Sequence, residues 1–103
     1  MLDYARLTAL PDEIGKLEKL KVLSLRGNNL TRVPDSIGSL KNLTELNLCG
    51  NKLTDLPPSL ISVKNLKTIT IGPNALTQAT QSQLQKDFGK VKLEFDEDSC
   101  DPY

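Results

Sequence analysis

Histidine is absent from the chain, and aromatic residues make up only 4% of its 103 residues. Without histidine, the chain lacks the commonest general base and the commonest metal ligand of proteins. Its aromatic residues are Tyr4, Phe88, Phe95 and Tyr103. Because so few rings are available to stack bases, the sequence argues against nucleic acid as the partner.

Cysteine is scarce, and its two copies, Cys49 and Cys100, lie far apart in the sequence. They form no closely spaced pair of the kind that binds zinc, and no disulfide framework is expected. We interpret Cys49 as a small side chain in the place of a serine. No apolar run approaches the ~20 residues of a membrane helix, and no signal-like stretch opens the chain. The sequence predicts a cytoplasmic protein without membrane insertion.

Charge is balanced over the whole chain but is unevenly distributed along it. Residues 1–92 hold all 13 basic residues and 8 of the 13 acidic ones, whereas residues 93–103 hold the other 5 acidic residues and no basic one. A basic body with an acidic tail fits an anionic partner. The simpler interpretation is a solvated tail that aids solubility. We predict that residues 96–103 are an acidic, disordered tail.

Three segments of equal length, 10–32, 33–55 and 56–78, align without a gap. Each repeats the same apolar columns and carries one asparagine at the same place. This asparagine column consists of Asn28, Asn51 and Asn74. Residues 1–9 align with the end of a repeat, so we predict that they are a truncated first repeat. A period of this length is the signature of a solenoid, in which each turn buries its apolar face against the next.

The segments LKVLSLRGNNL (20–30), LTELNLCGNKL (43–53) and LKTITIGPNAL (66–76) match the pattern L-x-x-L-x-L-x-x-N-x-L. With their 23-residue spacing and the LP-x-x-I opening, they resemble leucine-rich repeats, especially those of intracellular Ras-pathway scaffolds, plant Ras-group-related proteins and many bacterial proteins. The resemblance covers residues 2–95. It implies an α/β fold, a right-handed leucine-rich repeat solenoid with a concave parallel sheet, but it says little about function.

The residue types in each column agree with this fold. Alternation around Leu23 and Leu25 predicts a short strand with one buried face. The spacing of Ile14, Leu17 and Leu20 predicts a helical or 3₁₀ turn on the convex side. The asparagines are expected to hydrogen-bond backbone groups in the turn after each strand. The proline near the start of each repeat prevents the preceding strand from continuing.

Residues 77–95 break the period and predict a C-terminal cap made of a helix and a strand. With this cap, the predicted leucine-rich repeat domain spans residues 1–95. The segment 77–88 has the pattern of a helix, with Thr80 and Gln83 as a capping box. Residues 91–95 alternate again, and Val91 falls one position short of a full repeat after Ile69. We therefore predict a final strand in which Val91 takes the place of Ile69.

The N-terminal edge has no comparable polar cap in the sequence. Leu2, Leu7 and Leu10 are predicted to line a partly open end of the core, beside a strand with unpaired backbone groups. Such an edge predicts a homodimer through residues 2–10, or contact with a missing upstream domain.

Polar side chains between the buried strand residues are predicted to fan out over the concave face and to bind a partner. Arg26 is the best anchor among them, because arginine is enriched at interface hot spots. The simpler interpretation of any single one is solvated polar filler. The predicted partner-binding residues are Tyr4, Lys21, Ser24, Arg26, Thr44, Glu45, Asn47, Cys49, Lys67 and Thr70.

The sequence contains no phosphate-binding glycine loop and no nucleophile, zinc-protease or triad motif. We therefore predict a protein–protein interaction scaffold that is not an enzyme and uses no cofactor or metal. Two alternatives stay open: a repeat module cut from a larger signalling enzyme, and a bacterial effector or surface protein that binds host components.

Overall fold

The structure is a computed structural model that describes residues 8–72 and 74–95. Most of the predicted truncated first repeat, and the predicted tail at 96–103, lie outside the described residues. Short 3₁₀ helices alternate with short strands, and one α-helix precedes the last strand. The elements are 3₁₀ helices at Asp12–Lys16, Asp35–Ser39 and Pro58–Ser62, strands β1 (Val22–Ser24), β2 (Glu45–Asn47), β3 (Thr68–Thr70) and β4 (Lys92–Glu94), and helix α1 (Gln78–Asp87).

The four strands form one parallel sheet in the order of the chain. Val22 pairs with Glu45, and Glu45 pairs with Thr68, so equivalent residues of successive repeats lie side by side. Parallel neighbours need a crossover between them. Here each crossover contains a 3₁₀ helix, or α1 before β4, and successive 3₁₀ helices contact each other. The predicted α/β solenoid with a parallel sheet is confirmed.

One continuous, mainly aliphatic core runs through the three full repeats. Its fully buried large side chains are Leu25, Leu30, Ile37, Leu40, Leu43, Leu46, Leu48, Leu53, Leu60, Ile69 and Ile71. Leu84 of α1 and Phe88, which follows α1, are buried in the same cluster. Since the last layer of a solenoid must be covered, α1 acts as the cap that the sequence predicted.

Leu17, unlike its equivalents in the next two repeats, is exposed. Leu17 is 50% exposed, whereas its equivalents Leu40 and Val63 are 0% and 4% exposed. Among the described residues, the first 3₁₀ helix contacts a neighbouring 3₁₀ helix on one side, while the second contacts one on each side. The same column is therefore buried within the stack and open at its N-terminal edge.

The 3₁₀ helices stack closely because a glycine faces the next helix. A Cβ atom on Gly15 would lie 2.5 Å from the carbonyl oxygen of Ser36, and one on Gly38 would lie 2.5 Å from Cβ of Ser59. Neither distance is compatible with a side chain. The equivalent residue of the third repeat is Ile61, which is 49% exposed and borders α1 rather than another 3₁₀ helix.

The turns after β1, β2 and β3 each contain a glycine with positive φ. Gly27 and Gly50 have φ values of 68° and 73°, at equivalent positions of the first two full repeats. The third repeat has proline at that position, and the proline ring cannot adopt a positive φ. The left-handed residue there is Gly72, with φ 52°, one position earlier.

The cap differs from the sequence prediction in two details. Thr77, not Thr80, is the N-cap of α1, and its hydroxyl accepts a hydrogen bond from the Thr80 amide at 3.2 Å. The predicted capping box is therefore wrong, because the helix starts three positions earlier. In β4, Leu93 rather than Val91 lies opposite Ile69, since the α1 crossover is longer than predicted. This shift by two positions leaves each side chain on the predicted face of the sheet.

Candidate binding surface

The face of the sheet that points away from the core is concave. It contains a depression of about 290 Å³ above the strands. The lining residues are Val22, Ser24, Arg26, Glu45, Leu46, Asn47, Thr68 and Thr70. We call the following residues the concave face: the outward-facing residues of β1–β4, the residues just before β1, β2 and β3 (Lys21, Thr44 and Lys67), and Arg26 and Cys49 just beyond β1 and β2.

The predicted binding residues differ widely in exposure. Lys21, Glu45 and Lys67 are exposed, and Arg26, Thr44, Asn47 and Thr70 are half-buried. Ser24 and Cys49 are only 6% and 3% exposed, so little of either side chain is accessible on the concave face. Tyr4 lies outside the described residues.

Exposure of the outward-facing side chains falls along β1 and β2 towards the carboxyl ends of these strands. Val22 and Ser24 both point out of the concave face, yet Val22 is 45% exposed and Ser24 only 6%. On β2, Glu45 is exposed, Asn47 is half-buried and Cys49 is buried. The amino-terminal half of the concave face is therefore its accessible part.

Two of the predicted residues use their side chains to stabilise the backbone. The Thr44 hydroxyl donates to the carbonyl oxygen of Lys21 at 3.0 Å, across to the preceding repeat. The Asn47 side-chain oxygen accepts from the Cys49 amide at 3.0 Å. These bonds hold the backbone in place at the two ends of β2. The two side chains therefore have less hydrogen-bonding capacity left for a partner.

The asparagine column connects successive repeats. The Asn51 amide group donates to the carbonyl oxygen of Leu48 in its own repeat at 3.0 Å and to that of Leu25 in the preceding repeat at 2.9 Å. Its side-chain oxygen accepts from the Leu30 amide at 3.1 Å. Because all these backbone groups lie within the stack, the asparagine satisfies donors and acceptors that water would not reach.

Asn74 repeats the pattern one turn later. It donates to the carbonyl oxygens of Ile71 at 2.6 Å and Leu48 at 2.9 Å, and it accepts from the Leu53 amide at 2.9 Å. The predicted role of the column in the turn is confirmed. Its bonds to the preceding repeat were not predicted, because a sequence period does not show which backbone groups meet between turns.

A second asparagine column was missed in the sequence. Asn42 donates to the carbonyl oxygen of Glu18 at 2.8 Å, and Asn65 donates to that of Lys41 at 3.0 Å. Both residues precede a strand and reach back to the preceding repeat. Their separation by one full repeat was the available signal, but the first full repeat has Lys19 at this position and hides the column.

Cys49 corrects another prediction, because it forms a disulfide. The sequence suggested a small side chain in the place of serine and no disulfide. That inference rested on the distance between cysteines along the chain, whereas disulfides depend on distance in space. The Cys49 sulfur lies 4.0 Å from the carbonyl oxygen of Thr70 on β3.

The described residues contain no group of three or more metal-ligating side chains that could hold an ion. No helix in the described ranges is long and apolar enough to cross a bilayer. At the C-terminal edge of the sheet, the Lys92 ammonium lies 3.2 Å from the Glu94 carboxylate. Because the lysine is largely exposed to solvent, this pair contributes little to stability.

Comparison with known proteins agrees with the geometry. A family model described as a leucine-rich repeat region matches residues 1–94. The chain belongs to the leucine-rich repeat family. A solved structure of the leucine-rich repeat protein LIC12759 from Leptospira interrogans is similar to it, with 36% sequence identity and a TM-score of 0.84. The match covers 87% of this chain and 23% of that chain. A search of curated proteins finds no match.

Leucine-rich repeat domains are typically protein-interaction modules and generally non-enzymatic scaffolds. In this leucine-rich repeat domain, the sheet supplies the face and the asparagine column fixes successive strands in register. The chain spans about a quarter of the length of the Leptospira protein.

Proposed function

We propose that this leucine-rich repeat domain is a scaffold that binds a protein partner on its concave face, without catalysis and without a cofactor. The observation that carries the proposal is the shape and composition of that face. Three strands of equal length, β1 to β3, line a depression with mostly polar side chains, on a backbone fixed by hydrogen bonds between repeats. A rigid face binds without the entropy cost of ordering loops.

The accessible half of the concave face has mixed charge. Lys21 and Lys67 are exposed there beside the exposed carboxylate of Glu45. Arg26 lies half-buried further along the face. Mixed charges of this kind favour a protein surface of complementary pattern over a uniformly anionic polymer. We therefore propose a protein partner rather than nucleic acid, whose binding would weaken steeply with salt.

The test is an affinity capture from the source cell with the full chain and two charge-reversed variants. Lys67→Glu changes an exposed lysine of the concave face. Lys64→Glu changes an exposed lysine just after the third 3₁₀ helix and serves as the matched control. We expect a protein that the wild type and Lys64→Glu capture and that Lys67→Glu loses. Arg26→Glu should act in the same direction.

The two lysine variants should melt at the wild-type temperature, because neither side chain is buried. Loss of the same protein from Lys64→Glu, or retention by Lys67→Glu and Arg26→Glu alike, would place the binding surface elsewhere. Two alternatives from the sequence stay predictions: a module of a larger signalling enzyme, and a bacterial effector or surface protein that binds host components. The identity of the captured protein distinguishes them.

A further inference from the structure

The positive charge of the chain is concentrated on one side of the solenoid. Four loops lead from a 3₁₀ helix or from α1 into the next strand, at residues 17–21, 40–44, 63–67 and 88–91. They contain six lysines and one acidic residue, whereas the other described residues contain six basic and seven acidic ones. We call the exposed lysines of these loops the lysine face: Lys19, Lys21, Lys41, Lys64, Lys67 and Lys90. We propose that the lysine face binds the surface of a membrane that contains anionic lipids.

Hydrogen bonds between repeats hold the loops of the lysine face side by side. Asn42 donates to the carbonyl oxygen of Glu18 at 2.8 Å, and Asn65 donates to that of Lys41 at 3.0 Å, so each loop is tied to the one before it. The turn into the strand contains the same backbone hydrogen bond, between residues three apart, in all three full repeats. All of these loops lie at the amino-terminal ends of parallel strands. The lysines are therefore held at fixed spacing on one side of the domain.

The composition of the lysine face favours a membrane over a protein or a nucleic acid. Its charged groups are lysines without a single arginine. Lysine attracts anions as a hydrated point charge, whereas arginine recognises a carboxylate or a phosphate with two parallel hydrogen bonds. The aromatic residue of these loops, Phe88, is buried and cannot stack on a base. Such a face responds to the density of negative charge rather than to the shape of a ligand, which suits a layer of lipid headgroups.

A depression of about 470 Å³ lies between the two central loops of the lysine face. Lys41 and Lys64, at equivalent positions of successive repeats, border this depression, and Ser62 adds a hydroxyl group. No acidic residue lines it. Two ammonium groups beside one opening can pair with the same phosphate or carboxylate. We assign this depression to the headgroup of one anionic lipid, while the other lysines contact the lipids around it.

Only charges close to the membrane contribute to such binding. Each lysine near an anionic bilayer strengthens binding about fivefold, and the attraction fades within a Debye length of about 8 Å at physiological salt. Arg32 and Lys52 follow strands of three residues, so about 10 Å of strand separates them from the lysine face. They therefore lie beyond the range of the membrane. Contact through the side of the solenoid also leaves the depression of the concave face open to a protein partner.

The test is cosedimentation of the full chain with lipid vesicles at about 0.1 M salt, either of phosphatidylcholine alone or with about 30% phosphatidylserine. We expect binding only to the second kind, and weaker binding as salt is added. The double variant Lys41→Gln/Lys64→Gln should bind about 25-fold more weakly. The matched control, Arg32→Gln/Lys52→Gln, removes the same charge from the opposite side and should change binding at most about twofold. All four side chains are exposed, so both variants should melt at the wild-type temperature.

Three results would overturn the membrane contact: no binding to phosphatidylserine vesicles, equal binding to both kinds of vesicle, or equal losses in the two double variants. In a parallel measurement, a polyglutamate peptide and duplex DNA replace the vesicles. If either bound more tightly per negative charge than the phosphatidylserine vesicles, the lysine face would belong to an acidic protein or to a nucleic acid, and the proposal would be wrong. These measurements need no partner of the concave face, so the membrane contact and the proposed function can fail independently.

Discussion

At the scale of single residues, the asparagines show how a repeated polar residue can be structural. Asn51 and Asn74 each bond to their own strand end and to two backbone groups of the preceding repeat. Both lie beside the leucines of the core rather than on the concave face. Their role is therefore to satisfy backbone groups inside the stack and not to recognise a partner.

Replacing Asn51 by alanine should lower the free energy of unfolding by about 1–3 kcal/mol, because buried backbone donors and acceptors lose their partner. Asn29→Ala is the control, since Asn29 is exposed in the same kind of turn one repeat earlier. Denaturation midpoints in urea measure the difference. An unchanged midpoint for Asn51→Ala together with lost partner binding would contradict the structural role.

Burial, rather than residue type, should decide the cost of removing a leucine. Leu46 is 1% exposed in the centre of the sheet, whereas Leu17 is 50% exposed. Leu46→Ala should cost about 2–5 kcal/mol through lost burial and the cavity that is left, which is enough to unfold a small domain. Leu17→Ala should cost much less. Thermal melting of both variants is the measurement, and similar melting temperatures would contradict the register of the core.

At the scale of elements, the solenoid depends on how closely its 3₁₀ helices approach. Gly15 and Gly38 face the backbone or side chain of the next repeat, and Ser59 donates to the carbonyl oxygen of Asp35 at 2.7 Å in the same layer. The convex side is therefore packed by backbone contacts as well as by leucines. The distance between successive 3₁₀ helices, together with the distance between successive strands, determines the curvature of the sheet.

Gly38→Ala tests this match. The added Cβ would lie 2.5 Å from Ser59 Cβ, so the two 3₁₀ helices must separate, at a cost of about 1–3 kcal/mol. Gly89→Ala is the control, because the nearest atom to its Cβ is the Lys86 carbonyl oxygen at 3.8 Å. Chemical denaturation should show a large loss for the first variant and a small change for the second. If the denaturation midpoint of Gly38→Ala equalled that of the wild type, the 3₁₀ helices could separate at little cost in stability.

At the scale of the whole molecule, the repeat period was enough to predict the fold. It identified the strands, the convex turns, the asparagine column and the C-terminal cap. The errors lie where the period ends: Leu17 is exposed because nothing in the described chain stacks on it, and β4 is shifted because α1 lengthens the crossover. The disulfide of Cys49 was missed because spacing along the chain carries no information about proximity in space. The partner-binding residues of this chain cannot be predicted from the repeat pattern, because the pattern constrains buried positions far more than exposed ones.

The N-terminal edge still predicts self-association. Leu10 is buried, contrary to expectation, and Leu2 and Leu7 lie outside the described residues. Among the described residues, Leu17 is an exposed apolar side chain at this edge. If two chains associate there, the wild type should sediment as a dimer at high concentration, and Leu7→Lys or Leu17→Lys should shift it to a monomer. The control is Ile61→Lys, which places a charge on an equally exposed apolar residue at the other end of the stack. A wild type that stays monomeric at every concentration would exclude the dimer.

The hydrogen bonds of the asparagine column also determine how such a chain can change in length. Asn51 meets Leu25 and Leu30 in the same way that Asn74 meets Leu48 and Leu53. If residues 33–55 were deleted as a block, Asn74 would face the backbone groups that Asn51 now binds, and β3 would pair with β1. Every junction would keep its donors and acceptors. Deleting or duplicating one whole repeat therefore keeps the hydrogen bonds between repeats, whereas deleting a single residue does not. A chain of this family can thus gain or lose whole turns while each remaining junction stays intact.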